Sequence, residues 1–416
     1  MAKNAEPIQV VHGQCCGLDV HKKQVQACVL RAGPTGAVVP EQRSFGTTTE
    51  ALLALLDWLV ACGCTAVAME STGMYWKPIY NLFEGELTVL VVNAQHIKQV
   101  PGRKTDVSDA AWIAGLLRHG LLTPSFIPDR TARELREVTR FRRRTVEDRT
   151  AAVNRLHKTL EGANSKLASV ASDLAGRSAR EMLALLVSGT TDPHLLAAGA
   201  RGKRKEKMPQ LEAALAGSFG AHQRFMVALP LGQIADADAL LATLDAAVAR
   251  RLAPFATEVA LLDTIPGVGL RTAEELVAAI GVAMTQFPDD AHLASWAGMA
   301  PGHQISAGKR TGGKTRRGSR WLRATLVRAA QAVGRSKDPH LGGRFRALAA
   351  RRGKQRAAVA VGHTILTLAY HILRTHEPYH APLPRTPSRH QKPPRPADLV
   401  QQLRDLGFDV TLTPAA

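Results

Sequence analysis

Four carboxylates among the first 110 residues, Asp19, Glu70, Asp106 and Asp109, have the type and placement that phosphodiester chemistry needs. Asp19 sits in the apolar run Gln14 to Val20, and Glu70 ends the apolar run Ala66 to Met69. Asp106 and Asp109 are three apart at the expected start of a helix, so both project from one face near its positive end. Four acids brought together repel strongly unless divalent cations neutralise them. Two Mg²⁺ ions held roughly 3.5–4 Å apart would do so, activating an attacking oxygen and stabilising a leaving one. Taken singly, each acid reads equally well as a helix cap, Asp106 and Glu70 above all. Four acids at strand and helix ends that one fold brings together favour the site. A second chemical element is Ser306, in the Gly/Lys/Arg-rich stretch Gln304 to Gly318. A serine hydroxyl is a weak nucleophile until a metal, a base or the local field activates it, so by chemistry alone Ser306 is a loop serine. Ser295 and Ser319 are weaker candidates.

The elements that must position the acids follow from periodicity. Gln14 to Val20 reads as a short buried strand, Gln24 to Leu30 as a second after the polar turn His21-Lys22-Lys23, and Ala37 to Phe45 as a third. Thr48 caps a helix whose Leu52, Leu55, Leu56 and Leu59 form one apolar face. Ala66 to Met69 is a fourth strand, Met74 to Glu84 a helix, Thr88 to Val92 a fifth strand, and Asp106 to Arg118 a further helix. The order βββαβαβα is that of an RNase H-like fold, a mixed sheet with helices packed on it. Asp19 then lies on the central strand. Glu70 lies at the carboxyl end of the next parallel strand, where open α/β sheets place their sites.

The charge supports an anionic partner. The chain has 416 residues, 54 Lys and Arg against 35 Asp and Glu, a net charge of +19 and a pI near 10.2. This length allows two to four domains, and 45% hydrophobic residues exclude disorder of the whole chain. Nucleic acid is the commonest polyanion for such a protein. Arg, with its planar fork for phosphate, supplies 38 of the basic residues. The excess is uneven: Met1 to Ala110 carries −1, Arg130 to Lys158 carries +6, Leu231 to Ala300 carries −6, and Pro301 to Arg356 carries +15. Chemistry in one region and nucleic-acid grip in another is the expected division. Cys15, Cys16, Cys28, Cys62 and Cys64 include no CxxC pair and no His at zinc-finger spacing, and read as reduced, mostly buried thiols. The first ten residues lack the layout of a signal peptide. The longest uncharged stretch, Ala357 to Leu373, fits a buried helix better than a membrane span. The expected location is the cytoplasm, with the nucleoid.

Four regions are expected: 1–125, the acidic catalytic domain; 126–255, a helical middle; 256–375, a mainly helical C-terminal domain; and 376–416, a Pro-rich tail. Thr131 to Leu160 reads as a long basic helix with an apolar stripe, either a solvated or coiled-coil stalk or a backbone contact. Leu262 to Gly269 followed by the helix Leu270 to Ile280 resembles a helix-hairpin-helix turn. There Gly267 and Gly269 let a phosphate approach the helix start, or serve tight helix packing instead. Lys309, Arg310, Lys314, Arg316 and Arg317, in a flexible loop, with Arg320 and Arg323 on the helix Arg320 to Val333, form a backbone clamp.

Specific motifs carry a family resemblance. Gly17-Leu18-Asp19-Val20-His21-Lys22, Met69-Glu70-Ser71-Thr72-Gly73 with Tyr75-Trp76, Val92-Asn93-Ala94 and Lys104-Thr105-Asp106-Val107-Ser108-Asp109-Ala110 resemble the motifs of DEDD-type transposases of the IS110 insertion-sequence family. Gly298-Met299-Ala300-Pro301, Ser306 and Gly318-Ser319-Arg320-Trp321-Leu322-Arg323 resemble that family's second domain. The resemblance implies a RuvC-like N-terminal domain whose acids are Asp19, Glu70, Asp106 and Asp109, and a coiled coil between the domains. It implies Mg²⁺ at the acids and Ser306 as the nucleophile of a phosphoserine intermediate. It further implies donor and target DNA, a structured guide RNA, and dimers assembling into tetramers in which acids and serine can come from different subunits. The family usually has Gly directly after the serine, whereas here Ala307 precedes Gly308. Two rival readings are a RuvC-like junction nuclease, needing the acids and no serine, and a non-enzymatic nucleic-acid-binding protein whose acids are caps and ion-pair partners.

Overall fold

The computed structural model describes residues 9–31, 38–71, 73–94, 97, 108–171, 173–198, 207–301, 315, 318–381, 400, 403–404 and 409–410, and the backbone alone of 32, 304–306 and 309–312. The chain divides into two compact units, Met1–Ile127 and Pro128–Ala416. The expected regions 126–255 and 256–375 thus fall largely within the second.

The first unit is built on five strands: β1 (Cys15–Val20), β2 (Gln24–Ala32), β3 (Val38–Gly46), β4 (Ala66–Glu70) and β5 (Thr88–Val92). They lie in the order β3-β2-β1-β4-β5. β2 runs antiparallel to both β1 and β3, while β4 runs parallel to β1 and β5. This mixed sheet is compatible with the RNase H-like order expected from the sequence. Helices α1 (Thr49–Ala61) and α2 (Trp76–Phe83) cover one face and α3 (Asp109–Arg118) the other. Because side chains alternate along a strand, Cys16, Leu18, Val20, Val67 and Met69 pack in the cluster with α1 and α2, while Cys15, Ala66, Ala68 and Val92 pack with α3. That double cover explains why β1 and β4 read as continuous apolar runs. Thr48 caps α1 through Ala51 N (3.3 Å), and Leu52, Leu55, Leu56 and Leu59 are buried as the spacing predicted.

The second unit is helical apart from one hairpin. The 33-residue α4 (Arg130–Gly162) is followed by α5 (Leu167–Val170), α6 (Arg177–Val187), α7 (Pro193–Ala197), α8 (Met208–Leu215) and the 32-residue α9 (Ala221–Leu252). α4 and α9 form a long antiparallel pair. Arg142 meets Asp245, Arg149 meets Asp238 and Arg155 meets Gln233, so the partner's number falls as the α4 number rises. The short helices between them bury Met182, Leu183, Leu186, Leu196 and Leu211 against Leu156 and Leu160 of α4 and Val227 and Ile234 of α9. The Ala- and Leu-rich middle is therefore a folded core of its own.

The C-terminal part contains α10 (Ala256–Asp263), α11 (Leu270–Ile280), α12 (Asp290–Trp296), β6 (Gln304–Ser306), β7 (Lys309–Gly312), α13 (Arg320–Arg335), α14 (Leu341–Arg352) and α15 (Lys354–Thr375). Two helical stretches, Ala221–Asp263 and Lys354–Thr375, are long and apolar enough to cross a membrane on those criteria alone. In α15 the apolar residues Val361, Ile365, Leu366 and Ala369 are buried within the unit, as expected of a core helix. Most of the Pro-rich tail, and residues 201–206 of the basic cluster Arg201 to Lys207, lie outside the described residues.

Candidate active site

Three of the four acids are described, and two elements of the sheet set Asp19 beside Glu70. Leu18 of β1 pairs with Met69 of β4 in parallel register, and Asp19 and Glu70 are the next residues on the two strands. Neighbouring strands lie about 4.8 Å apart. Alternation from Leu18 and Met69, which face α1 and α2, turns both acids to the α3 face. The Asp19 side chain is 27% exposed, Glu70 is half-buried and Asp109 exposed.

Helix α3 runs antiparallel to β1 across that face. Arg118 Nη1 donates to Gly13 O (2.6 Å), the Cys15 thiol donates to Ala114 O (3.6 Å), and Gly17 is in backbone contact with Ala110 and Ala114. Two residues of strand, about 6.6 Å, are matched by four residues of helix, about 6 Å. The contacts thus step toward the helix N-terminus as the strand approaches Asp19. Asp109, the first residue of α3, is brought to the end of the sheet that carries Asp19 and Glu70. The helix starts at Asp109 rather than Asp106, because Ser108 is its N-cap and accepts from Ala111 N (3.3 Å). Asp106 lies outside the described residues. Among the described residues no three His, Cys, Asp or Glu side chains close around one metal position. The side chains that the strand register and the start of α3 bring to this end are carboxylates, the hard ligands that Mg²⁺ takes, with the His21 imidazole 3.0 Å from Asp19 Oδ2. All five cysteines, in β1, β2 and the turn after α1, are free and buried. Burial pushes the Cys15 thiol up to about 11 and that of Cys64 up to about 12, which leaves both as inert thiols.

In the second unit, Ser306 ends β6 and pairs with Lys309 of β7. The stretch expected as a flexible loop is thus an antiparallel hairpin, extended by a bridge between Pro301 and Thr315. Only two residues, Ala307 and Gly308, separate the strand ends Ser306 and Lys309 in sequence, a common length for a hairpin connection. Lys309 and Arg310 are described by backbone alone; Lys314, Arg316 and Arg317 lie outside the described residues. Arg323 donates to Thr315 Oγ1 (2.6 Å), tying the hairpin base to α13. Ser319 is the N-cap of α13, its hydroxyl accepting from Leu322 N (3.3 Å), and Ser295 sits half-buried in α12.

The two glycines between α10 and α11 differ. Gly267 has φ +85°, and a Cβ there would lie 2.6 Å from Ala329 O and 2.8 Å from Val333 Cβ, so this glycine seats α13. The packing role weighed for it is the one its surroundings support. Gly269 stands open at the N-cap of α11.

A family model described as a transposase, of the DEDD type of IS110, matches residues 16–165, and one described as a transposase of the IS116/IS110/IS902 family matches residues 259–346. Together they cover more than half of the chain. The chain belongs to the IS110 family of transposases. It is also similar to the pilin gene-inverting protein of Moraxella bovis, 34% identical over 125 residues, which are 29% of this chain and 38% of the relative. The chain spans less than half the length of that relative.

For this IS110-family chain, the first match contains all four acids and the second contains Ser306, Arg320 and Arg323. Two features escaped the sequence reading. His21 Nε2 lies 3.0 Å from Asp19 Oδ2, giving that acid a neighbour its i+2 spacing after a strand end could have signalled. Trp321, quoted only as part of a motif, is ringed by arginines from α4. No local pattern links residues so far apart in sequence.

Proposed function

We propose that this chain is a DNA transposase that cuts and rejoins strands to move a mobile element. The observation that supports the reading is the register that sets the strand ends carrying Asp19 and Glu70 side by side, with α3, which starts at Asp109, packed against β1, within a chain of a transposase family. Asp106 joins them on its motif alone. Asp19, Glu70, Asp106 and Asp109 would hold Mg²⁺, two ions per site. Bound there, the ions would offset charge on the phosphoryl oxygens.

Ser306 is the nucleophile of this reading. Its hydroxyl gives up a proton as Oγ bonds to phosphorus, the bond from phosphorus to the strand oxygen breaks, and that oxygen takes up a proton. Attack by a strand-end hydroxyl on the phosphoserine then restores Ser306 and joins the new strand. Lys309, Arg310, Lys314, Arg316, Arg317 and Arg323 grip the backbone by charge, which steers without reading sequence. Gly269 offers an open helix start for the same purpose.

The partners in this reading are donor and target DNA, a structured guide RNA, and further copies of the chain as a dimer or tetramer, acting in the cytoplasm at the nucleoid. The name of the gene-inverting relative, and the +15 block from Pro301 to Arg356, favour strand exchange on nucleic acid. The test is incubation of the protein with its flanking DNA and Mg²⁺, followed by denaturing electrophoresis. A protein–DNA adduct that disappears in Ser306→Ala is expected. Cleavage without any adduct returns the junction-nuclease reading, and binding with no cleavage under any condition returns the non-enzymatic one. RNA that co-purifies with the protein, sequenced as one discrete species, is the expected sign of the guide.

A further inference from the structure

The indole of Trp321, at the start of α13, is surrounded by four guanidinium groups. Their central carbons lie from the ring centroid at 5.2 Å (Arg143), 5.3 Å (Arg144), 5.7 Å (Arg320) and 5.8 Å (Arg140). Three come from one stripe of α4, at the spacing i, i+3 and i+4 that places side chains on one helix face. One aromatic ring attracts a cation at its face, but it has only two faces. Four guanidiniums at this range therefore stand close to one another as well as to the ring, and like charges so placed repel.

The local carboxylates do not balance this group. Arg143 is paired with Glu147 at 3.2 Å and donates to Trp321 O (3.3 Å). Glu275, which lines the recess below the ring, is taken by the Thr325 hydroxyl and by Arg328 (2.7 Å). Among the described residues no carboxylate forms an ion pair with Arg140, Arg144 or Arg320. Burial lowers the basicity of Arg140, and Arg320 and Arg144 lower it further against the pull of Glu137. The first turn of α13 holds no acid and begins with Arg320, although the helix N-terminus favours negative charge. The cluster is an arrangement that an external anion would relieve.

We propose that Arg140, Arg143, Arg144 and Arg320, held around Trp321, form a sequence-independent clamp for a phosphate of a nucleic-acid backbone. Guanidinium forks match phosphate oxygens in pairs, which fits a cluster made wholly of Arg. The recess below the ring is about 30 Å³, room for one water, so the anion is met at the surface rather than swallowed. Guanidiniums already crowd the indole, so the tryptophan acts as a post that spaces the arginines and not as a stacking platform for a base. A second cleft of about 370 Å³ shares Arg143 and continues along α13 past Arg328 to Arg335, giving a backbone somewhere to run. The choice of nucleic acid as the polyanion rests on the transposase reading; the unbalanced arginines do not.

The test uses the full chain in EDTA, titrated with random-sequence duplex DNA and, separately, random-sequence RNA over a range of salt. In the double variant Arg140→Ala/Arg144→Ala, affinity is expected to fall about tenfold and the log–log salt slope to shrink by about two. Arg177→Ala/Arg250→Ala, which removes the same charge from exposed positions of α6 and α9 outside the basic blocks, is the control and is expected to change the slope little. Trp321→Phe is expected to keep most of the affinity and Trp321→Leu to lose it, with the melting temperature followed in parallel. An effect on DNA alone or on RNA alone assigns the clamp to that strand, and either supports it. Equal slopes for the arginine variant, its control and the wild type overturn the clamp while leaving the transposase reading intact. Loss of binding to polyglutamate but to neither nucleic acid overturns it in favour of an acidic protein partner. Wild-type protein that binds neither DNA nor RNA overturns both readings together.

Discussion

A Cβ placed on Gly17 would lie 2.2 Å from the carbonyl oxygen of Ala110 and 2.4 Å from the amide nitrogen of Ala114. β1 and α3 therefore meet backbone to backbone two residues before Asp19, and the contact fixes where Asp109 is delivered. Gly17→Ala must lift the helix from the sheet, at a cost of about 1–3 kcal/mol for overpacking. The expected result is a folded protein with a lower melting temperature and a loss of strand cleavage far larger than that loss of stability explains. Full cleavage in a folded Gly17→Ala protein would show that the position of α3 is irrelevant to the chemistry.

If Asp19 and Glu70 hold Mg²⁺, the ion binds the folded chain better than the unfolded one and stabilises it. At a concentration one hundred times the dissociation constant the gain is about 2.7 kcal/mol. Wild-type protein is expected to melt higher as Mg²⁺ is added and to return to its original melting temperature with EDTA. Asp19→Asn and Glu70→Gln should fold, bind DNA and lose most of the Mg²⁺ response. The same rise in all three proteins places the ion elsewhere.

The serines separate chemistry from capping. Ser319 caps α13 through Leu322 N, and loss of such a cap costs about 1 kcal/mol. Ser319→Ala is expected to melt lower yet still form the covalent DNA adduct, whereas Ser306→Ala keeps its stability and forms none. An adduct in Ser306→Ala that vanishes in Ser319→Ala reverses the assignment.

Buried charge holds α4 to α11. The Arg142 side chain is 4% exposed, with Glu274 Oε2 2.6 Å away in ion contact without hydrogen-bond alignment, and Asp245 at 3.3 Å. Removing one partner of a buried pair leaves the other charge stranded, typically at a cost of 3–5 kcal/mol. Because Asp245 remains, Glu274→Gln is expected near the lower end, about 3 kcal/mol. Denaturant melts measure it; a change under half a kcal/mol would mean that the contact contributes nothing net.

The sheet was legible in the sequence because its signals are local. Apolar runs of five or six residues, the Thr48 cap and the polar turn at His21-Lys22-Lys23 each mark an element within a few residues, and the strand order followed from the element order. Asp19 and Glu70 were legible for the same reason, as polar residues at the ends of apolar runs. What was not legible depended on contacts across long separations. The hairpin carrying Ser306 has Lys and Arg where a strand signal would show apolar alternation, so it reads as a loop. Gly267 reads as a phosphate-binding or a packing glycine, and only α13, more than 50 residues later, shows what occupies the space its missing side chain leaves. The Arg of α4 read as a solvated face because nothing near Arg140 in sequence announces Trp321.

Acid should loosen the α4–α9 pair. The Arg271 guanidinium, hydrogen-bonded to Asp245, holds that carboxyl below its usual range, with Arg142 adding to the effect. At Asp238 partial burial acts upward, but hydrogen bonds from Arg149 and Arg180 outweigh it and the net shift is again downward. A carboxyl whose value is lower in the folded than in the unfolded chain binds fewer protons when folded. Its contribution is present in full above the unfolded value, near 3.9, and is lost as pH falls through the lowered folded value. Stability of the second unit is therefore expected to be flat in this respect above about pH 5 and to drop below about pH 4. Both carboxyls are over a third exposed, so solvent screening makes the drop modest. Denaturant melts between pH 6 and pH 3 on wild type and on Asp238→Asn/Asp245→Asn isolate it. The double variant should start less stable at pH 6 and lose less on acidification. Parallel curves for the two proteins would mean that these carboxyls carry none of the acid sensitivity.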